Sequence, residues 1–396
     1  MKILQLNIEG FRSLKSVEWK PGDLNVLIGA NASGKSNLLK ALELISASAQ
    51  GKLADTVQRM GGMQSILWDG QASEIKYDLA LIADTPQLLE GEANFRYSIS
   101  LEYESSFYTP MIAWEHFSLD FPPDDLAQSI KSRKPFHIKR NKNDLEIEPN
   151  TEPVTMRKSL SVKQYETFLS DADSIPTRYL KDNIDKYLAF QRFSSHEGSS
   201  VRAPQITRYE KNLDRDGQNL INVLHTRYTE DREFKHAIDA AMSAAFPGEY
   251  EELIFPPAAD QRVQMRVSWK SLKRPANMAE VSDGTLHFIF LITALAQPDP
   301  PPLVAIDEPE TGLHPRMFNI IAEYAAEASR KTQVLFTTHS AEFLNTMTRF
   351  KPTVTVATWE NGETILRQPD QATLDHWLKE YTLGELFTSN DLEAMS

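Results

Sequence analysis

The stretch VLIGANASGKSNLLKALEL, residues 26–44, decides the fold. Val26, Leu27 and Ile28 close an apolar run of strand character, and Leu38, Leu39, Leu42 and Leu44 recur beyond it at helical spacing. Between them lies a turn bracketed by Gly29 and Gly34, so the segment reads as strand, loop, helix. The turn fits G-x-x-x-x-G-K-S in the context this pattern requires, directly after a strand and opening a helix. Glycine admits backbone N–H groups to phosphate oxygens, the helix start adds about half a positive charge, and Lys35 adds a full one. Asn31, Ala32, Ser33, Gly34, Lys35, Ser36 and Asn37 are therefore the candidate phosphate-binding residues, with the Ser36 hydroxyl also suited to Mg²⁺. A glycine turn capped by a serine is the plainer alternative, and the rest of the chain must decide between them.

Three later stretches bear on that choice. PPLVAIDEPETGLHP, residues 301–315, sets four apolar residues before Asp307 and Glu308, as a buried strand does when it delivers carboxylates to its C-terminal end. In this Walker B pattern Asp307 serves the Mg²⁺ shell and Glu308 orients and activates the attacking water. Two acids opening a loop is the bland alternative. TQVLFTTHS, residues 332–340, brings a second apolar strand to His339, whose imidazole can donate to a γ-phosphate oxygen near neutral pH. A histidine that only caps the following helix fits the same residues. VSDGTLHFIFLITAL, residues 281–295, starts an apolar helix with Ser282 as N-cap and Gly284 in the first turn. Such an N-terminus can bind the γ-phosphate of a nucleotide held by a second subunit, or it can simply be capped.

The remaining text sets the organisation. At 396 residues the chain exceeds the single core of ~250 to 300 residues, so one large nucleotide-binding unit with an inserted subdomain is expected. Period-2 runs between 74 and 120 predict an antiparallel β-lobe, and residues 121–200, rich in Pro, Asp, Ser, Lys and Arg, are the expected insertion, mainly α, with helices near 162–169 and 177–188. Residues 1–120 and 201–396 form the two halves of the head, and the βαβ rhythm of its C-terminal part predicts an α/β fold with a mostly parallel, helix-covered sheet. No heptad run supports a long coiled coil. The absence of cysteine excludes disulfides, thiolate zinc sites and thiol nucleophiles. No apolar run is long enough to span a membrane, and the opening strand alternation differs from a signal peptide, so a cytoplasmic protein with no membrane contact is expected. A net charge of −13 opposes indiscriminate DNA binding, which leaves residues 131–142 (Lys131, Arg133, Lys134, Lys139, Arg140, Lys142) as the candidate local DNA contact. A solvated basic loop accounts for them equally well.

Taken in order, these elements resemble the ABC ATPases of the RecF/SMC branch, and more closely the stand-alone AAA ATPases related to OLD-family heads, over residues 1–70 and 214–358. The resemblance implies ATP and Mg²⁺ as ligands, hydrolysis of ATP, and a homodimer with nucleotide sandwiched between its subunits. It implies that Arg12 and Ser13 of FRSLK lie near the nucleotide, although a surface turn reads these residues equally well. It also makes 310–314 the loop crossing the dimer interface and Gln64, within MGGMQSILWDG, the candidate Q-loop ligand on the metal side. SDGT departs from the glycine- and glutamine-containing signature of transporters. The 57 residues after His339 are too few for the nuclease domain of full OLD proteins. A switch governing a separately encoded effector, nuclease or toxin, in phage defence or genome maintenance is the first expectation. A DNA-binding repair ATPase of RecF type is the second, and a transporter subunit the least favoured.

Overall fold

The computed structural model describes residues 1–84, 92–103, 110–120, 136–141, 144–149, 165–171, 174–190 and 193–395, which fall into two compact units. The first comprises residues 1–22, 30–187 and 357–367. Its frame is a seven-stranded sheet in the order Leu14–Trp19, Lys2–Phe11, Glu74–Asp84, Glu92–Glu102, Met111–Asp120, Phe136–Asn141 and Asp144–Pro149. Every pairing is antiparallel, as the period-2 text requires, and alternate residues such as Ile75, Tyr77, Leu79 and Leu81 are buried. Helix Lys35–Ala49 lies in this unit and packs on helices Leu53–Arg59 and Ile175–Ile184. The last of these starts where Ser174 accepts from the N–H of Thr177 at 3.3 Å and Pro176 follows, a cap plus a preset φ.

The described part of residues 121–200 thus carries strands as well as that helix: Phe136–Asn141 and Asp144–Pro149 extend the β-lobe sheet. Of the helix expected near 162–169, residues 165–169 are turn and bend, and 162–164 lie outside the described residues. Strand geometry also corrects the basic stretch. Arg140 sits opposite Glu115 in register, and its alternation turns the guanidinium inward, where it is fully buried 3.6 Å from that carboxylate and donates to the Glu166 carbonyl at 2.6 Å. Arg140 is therefore unavailable to DNA, while Lys139 beside it is exposed. Lys131, Arg133, Lys134 and Lys142 lie outside the described residues.

The second unit comprises residues 23–29, 188–356 and 368–396. Its centre is a parallel sheet in which Thr353–Glu360, Leu24–Ile28, Gln333–Thr338, Leu303–Asp307 and Leu188–Phe190 lie side by side. Leu24–Ile28 and Gln333–Thr338 are buried throughout, the mark of a sheet covered on both faces. Asn25, the polar residue of Leu24–Ile28, is satisfied by donating to the Val334 carbonyl at 3.0 Å. Helix Asp283–Leu295 buries nearly every residue after its first turn, which explains a text that is apolar all round and not along one stripe. Among the described residues no helix is long and apolar enough to cross a membrane.

Candidate nucleotide-binding site

In the first unit the predicted phosphate turn is fixed by contacts from far along the chain. Gly34 has φ 96° and precedes the helix; a Cβ there would lie 1.9 Å from the Thr364 hydroxyl and 2.7 Å from that of Ser13, so only glycine fits. The Thr364 hydroxyl donates to the Ser33 carbonyl at 2.9 Å and is hydrogen-bonded to the Ser13 hydroxyl at 2.7 Å, and its own N–H donates to the Ser13 carbonyl at 2.8 Å. Asn37 reaches the same Ser13 hydroxyl with its amide at 2.7 Å. Ala32 also holds a left-handed φ of 65°, and the N–H of Ser33 after it donates to the Ala30 carbonyl at 3.2 Å. Lys35 is buried, with its ammonium donating to the Ala30 carbonyl at 2.9 Å across the turn. The Ser33 hydroxyl is buried with no hydrogen-bond partner, a vacancy in the bonding of the turn that a phosphate oxygen would fill.

Ser13 is thus gathered with the turn, whereas Arg12 is directed elsewhere. Its guanidinium donates to the Met60 carbonyl at 3.1 Å, and its Nε is buried with no partner. Gln64 is exposed on the one-turn helix Met63–Ile66.

In the second unit three parallel strands end level, because Ile28 pairs with Thr338 and Asp307 with Thr337. The chain runs from Ile28 straight into the phosphate turn. Thr337 donates its hydroxyl to the Asp307 carboxylate and accepts the Glu308 N–H at its carbonyl, 3.0 Å away. Glu308 adopts φ 46°, a left-handed kink that breaks the strand immediately after Asp307. Its carboxylate lies 2.9 Å from Nδ1 of His339, and both side chains remain partly open to solvent. Glu310 is buried and accepts the Thr338 hydroxyl; burial raises its pKa, and its second oxygen has no hydrogen-bond partner.

Ser282 caps its helix by accepting from the N–H of Thr285 at 3.2 Å. Gly284 is required for a different reason: a Cβ there would meet the Gly312 carbonyl at 2.5 Å, so the first turn of this helix lies against the loop after Glu308. His287, one turn on, bonds the Thr311 carbonyl through Nδ1 at 3.0 Å, and burial holds its pKa below the usual histidine value.

Residues 24–345 match a protein-family model described as "AAA domain, putative AbiEii toxin, Type IV TA system". The chain belongs to this AAA family. The family match spans the strand before the phosphate turn, the turn itself, the Asp307–Glu308 strand end and the His339 strand. No curated protein matches the sequence. In fold, the chain is similar to an SMC head bound to the C-terminal winged-helix domain of ScpA, at 13% identity and TM-score 0.56, covering 95% of this chain and 100% of that one. It is similarly related to an SMC head with an extended coiled coil bound to the C-terminal domain of ScpA from Pyrococcus furiosus, at 13% identity and TM-score 0.53, covering 96% and 99%. The AAA family member therefore has the ABC-type α/β head fold.

Sequence reading gave no role to Thr364, which closes on Gly34, or to Thr337 and Thr338, which partner the strand-end groups, and it read Glu310 only as part of the interface loop 310–314. The run TT before His339 and the second acid of DEPE were the available signals.

Proposed function

We propose that this AAA family member binds and hydrolyses Mg-ATP and that ATP draws two copies together, with hydrolysis releasing them. The observation that carries this reading is the Glu308–His339 contact at the ends of adjacent parallel strands. It pairs a carboxylate able to accept a proton from water with an imidazole able to report a phosphate, at positions where an unrelated acid and histidine have no reason to meet. In this reading residues 31–37 cradle the phosphates and Lys35 neutralises them. Ser13 sits on the nucleotide side of its turn, whereas Arg12, tied to the Met60 carbonyl, takes no part. Ser282 and Gly284 face the γ-phosphate of the second copy.

Ser36 and Asp307 are the residues that would hold Mg²⁺, with Gln64 as a further candidate, and the ion would supply charge neutralisation to the phosphates. Among the described residues no three carboxylates or imidazoles form a ligand group.

Lys35→Ala tests the binding role. Removing a charge-assisted phosphate contact is worth about 1.5 to 3 kcal/mol, so Mg-ATP affinity falls roughly 10- to 100-fold. Titration with a fluorescent ATP analogue reads it, and unchanged affinity would remove the phosphate-turn assignment.

The biological role we favour is control of a separately encoded effector, a nuclease or toxin, in phage defence or genome maintenance. The family's description, which names a toxin and a toxin–antitoxin system, supports that direction. The stand-alone DNA-repair reading loses one of its cations, because Arg140 is buried against Glu115.

A further inference from the structure

Arg202 lies outside every motif read above, yet it ties down the turn that carries Ser282. It ends the short helix Ser200–Arg202, and its side chain is only 9% exposed. The guanidinium donates to the carbonyls of Ser195, Met278 and Val281, the last at 2.8 Å, and to the Asp283 carboxylate at 2.6 Å. Val281 and Asp283 flank Ser282 in the chain. One planar group thus fixes the backbone before the helix and the side chain at its first residue. Ser195 adds a second donor, its hydroxyl reaching the same carboxylate oxygen at 2.8 Å. Phe193, at the start of this segment, stacks on Phe290 of the helix with ring centroids 4.3 Å apart.

The chemistry here is specific to arginine. Four bonds to three carbonyls and a carboxylate use the rigid fork of five donors, and a lysine ammonium offers three donors on a flexible stem. Asp283 itself is 73% exposed, so its tie contributes little to the core. What the tie does is set the direction of the turn. The segment also follows strand Leu188–Phe190, which pairs with Val304–Ile306, residues at the end of the strand that finishes in Asp307. A single short segment therefore runs from the Asp307 strand to the Ser282 turn.

We propose that Arg202 is a positioning residue: through Asp283 and the 278–281 backbone it presents the Ser282–Gly284 turn to the nucleotide of a second copy. The proposal rests on the dimer reading above. Its role is in assembly and turnover, and it takes no part in ATP binding by the single chain.

The test uses full-length Glu308→Gln protein as parent, with Asp283→Asn, Arg202→Lys and Arg202→Ala added singly. Dimer formation in Mg-ATP is read by analytical ultracentrifugation, and ATP binding at low protein concentration by fluorescent analogue. Asp283→Asn and Arg202→Lys are expected to keep ATP affinity within about twofold while raising the protein concentration for dimerisation at least about tenfold. In the parent with Glu308 restored, kcat falls and KM stays. Asp283 is on the surface, so its variant decides the matter if the Arg202 variants melt early. Variants that dimerise at the parent's concentration overturn the role of Arg202 alone. A parent that does not dimerise in ATP overturns the dimer reading and this proposal with it.

Discussion

Glu115 in the first unit and Glu310 in the second are both buried carboxylates, and their surroundings differ in kind. Glu115 accepts from the Tyr97 hydroxyl at 2.8 Å and the N–H groups of Phe168 and Leu169 at 2.9 and 3.4 Å, with Arg140 at 3.6 Å. Glu310 has the Thr338 hydroxyl on one oxygen and nothing on the other. A saturated network specifies a fold, because each member is left costly and unpaired if another is removed. An incomplete one next to a partly open Glu308–His339 pair is bonding capacity held at the place where the proposed chemistry occurs. The β-lobe and the strand-end loop thus use the same side chain for opposite purposes.

That contrast can be broken most forcefully at Arg140. At pH 8, where the Glu115 carboxyl is ionised, Arg140→Ala leaves it buried without its cation, and a loss of about 3 to 5 kcal/mol is expected in chemical denaturation. A loss below about 1 kcal/mol would mean the pair does not hold the β-lobe.

Glu115→Gln sharpens the comparison through pH. Burial pushes the Glu115 carboxyl up to about 7, opposed by the backbone N–H of Phe168 and the Tyr97 hydroxyl. A carboxyl whose folded pKa lies above its unfolded value binds protons more tightly when folded. Its contribution is therefore complete at acid pH below about 4.5 and is lost as pH rises toward about 7. Measured against wild type, Glu115→Gln should gain roughly 1 to 3 kcal/mol in relative stability between pH 5 and pH 8. A difference that is flat across this window would show that the carboxyl is not held neutral by burial.

The smallest effect belongs to Lys139, the exposed neighbour of Arg140. Lys139→Ala should change stability by no more than about 0.5 kcal/mol in the same denaturation series. A cost approaching that of Arg140→Ala would contradict the inward and outward alternation of strand Phe136–Asn141.

What was legible in the sequence is what local chemistry dictates. The strand, glycine turn and helix around residues 24–49 could be read because Gly29, Gly34 and Lys35 act through backbone conformation and a helix start, all within a dozen residues. The Asp307 strand could be read because a strand covered on both faces is apolar without interruption. The Glu308–His339 pair was legible only as two separate roles, since their meeting depends on the register between strands Leu303–Asp307 and Gln333–Thr338. Thr364 could not be associated with Gly34 at all, because they are brought together across 330 positions. Arg140 was misread for the same reason. In a tract of cations its inward alternation has no signature until Glu115, on the neighbouring strand, is known to face it. Arg202 had no signal in the text, as its acceptors are mostly backbone carbonyls.

Light scattering of Glu308→Gln protein with saturating Mg-ATP tests for the nucleotide-dependent dimer. A doubling of mass is expected with ATP, absent with ADP and absent when Lys35→Ala is added. A Glu308→Gln protein that binds ATP and remains a monomer would contradict it.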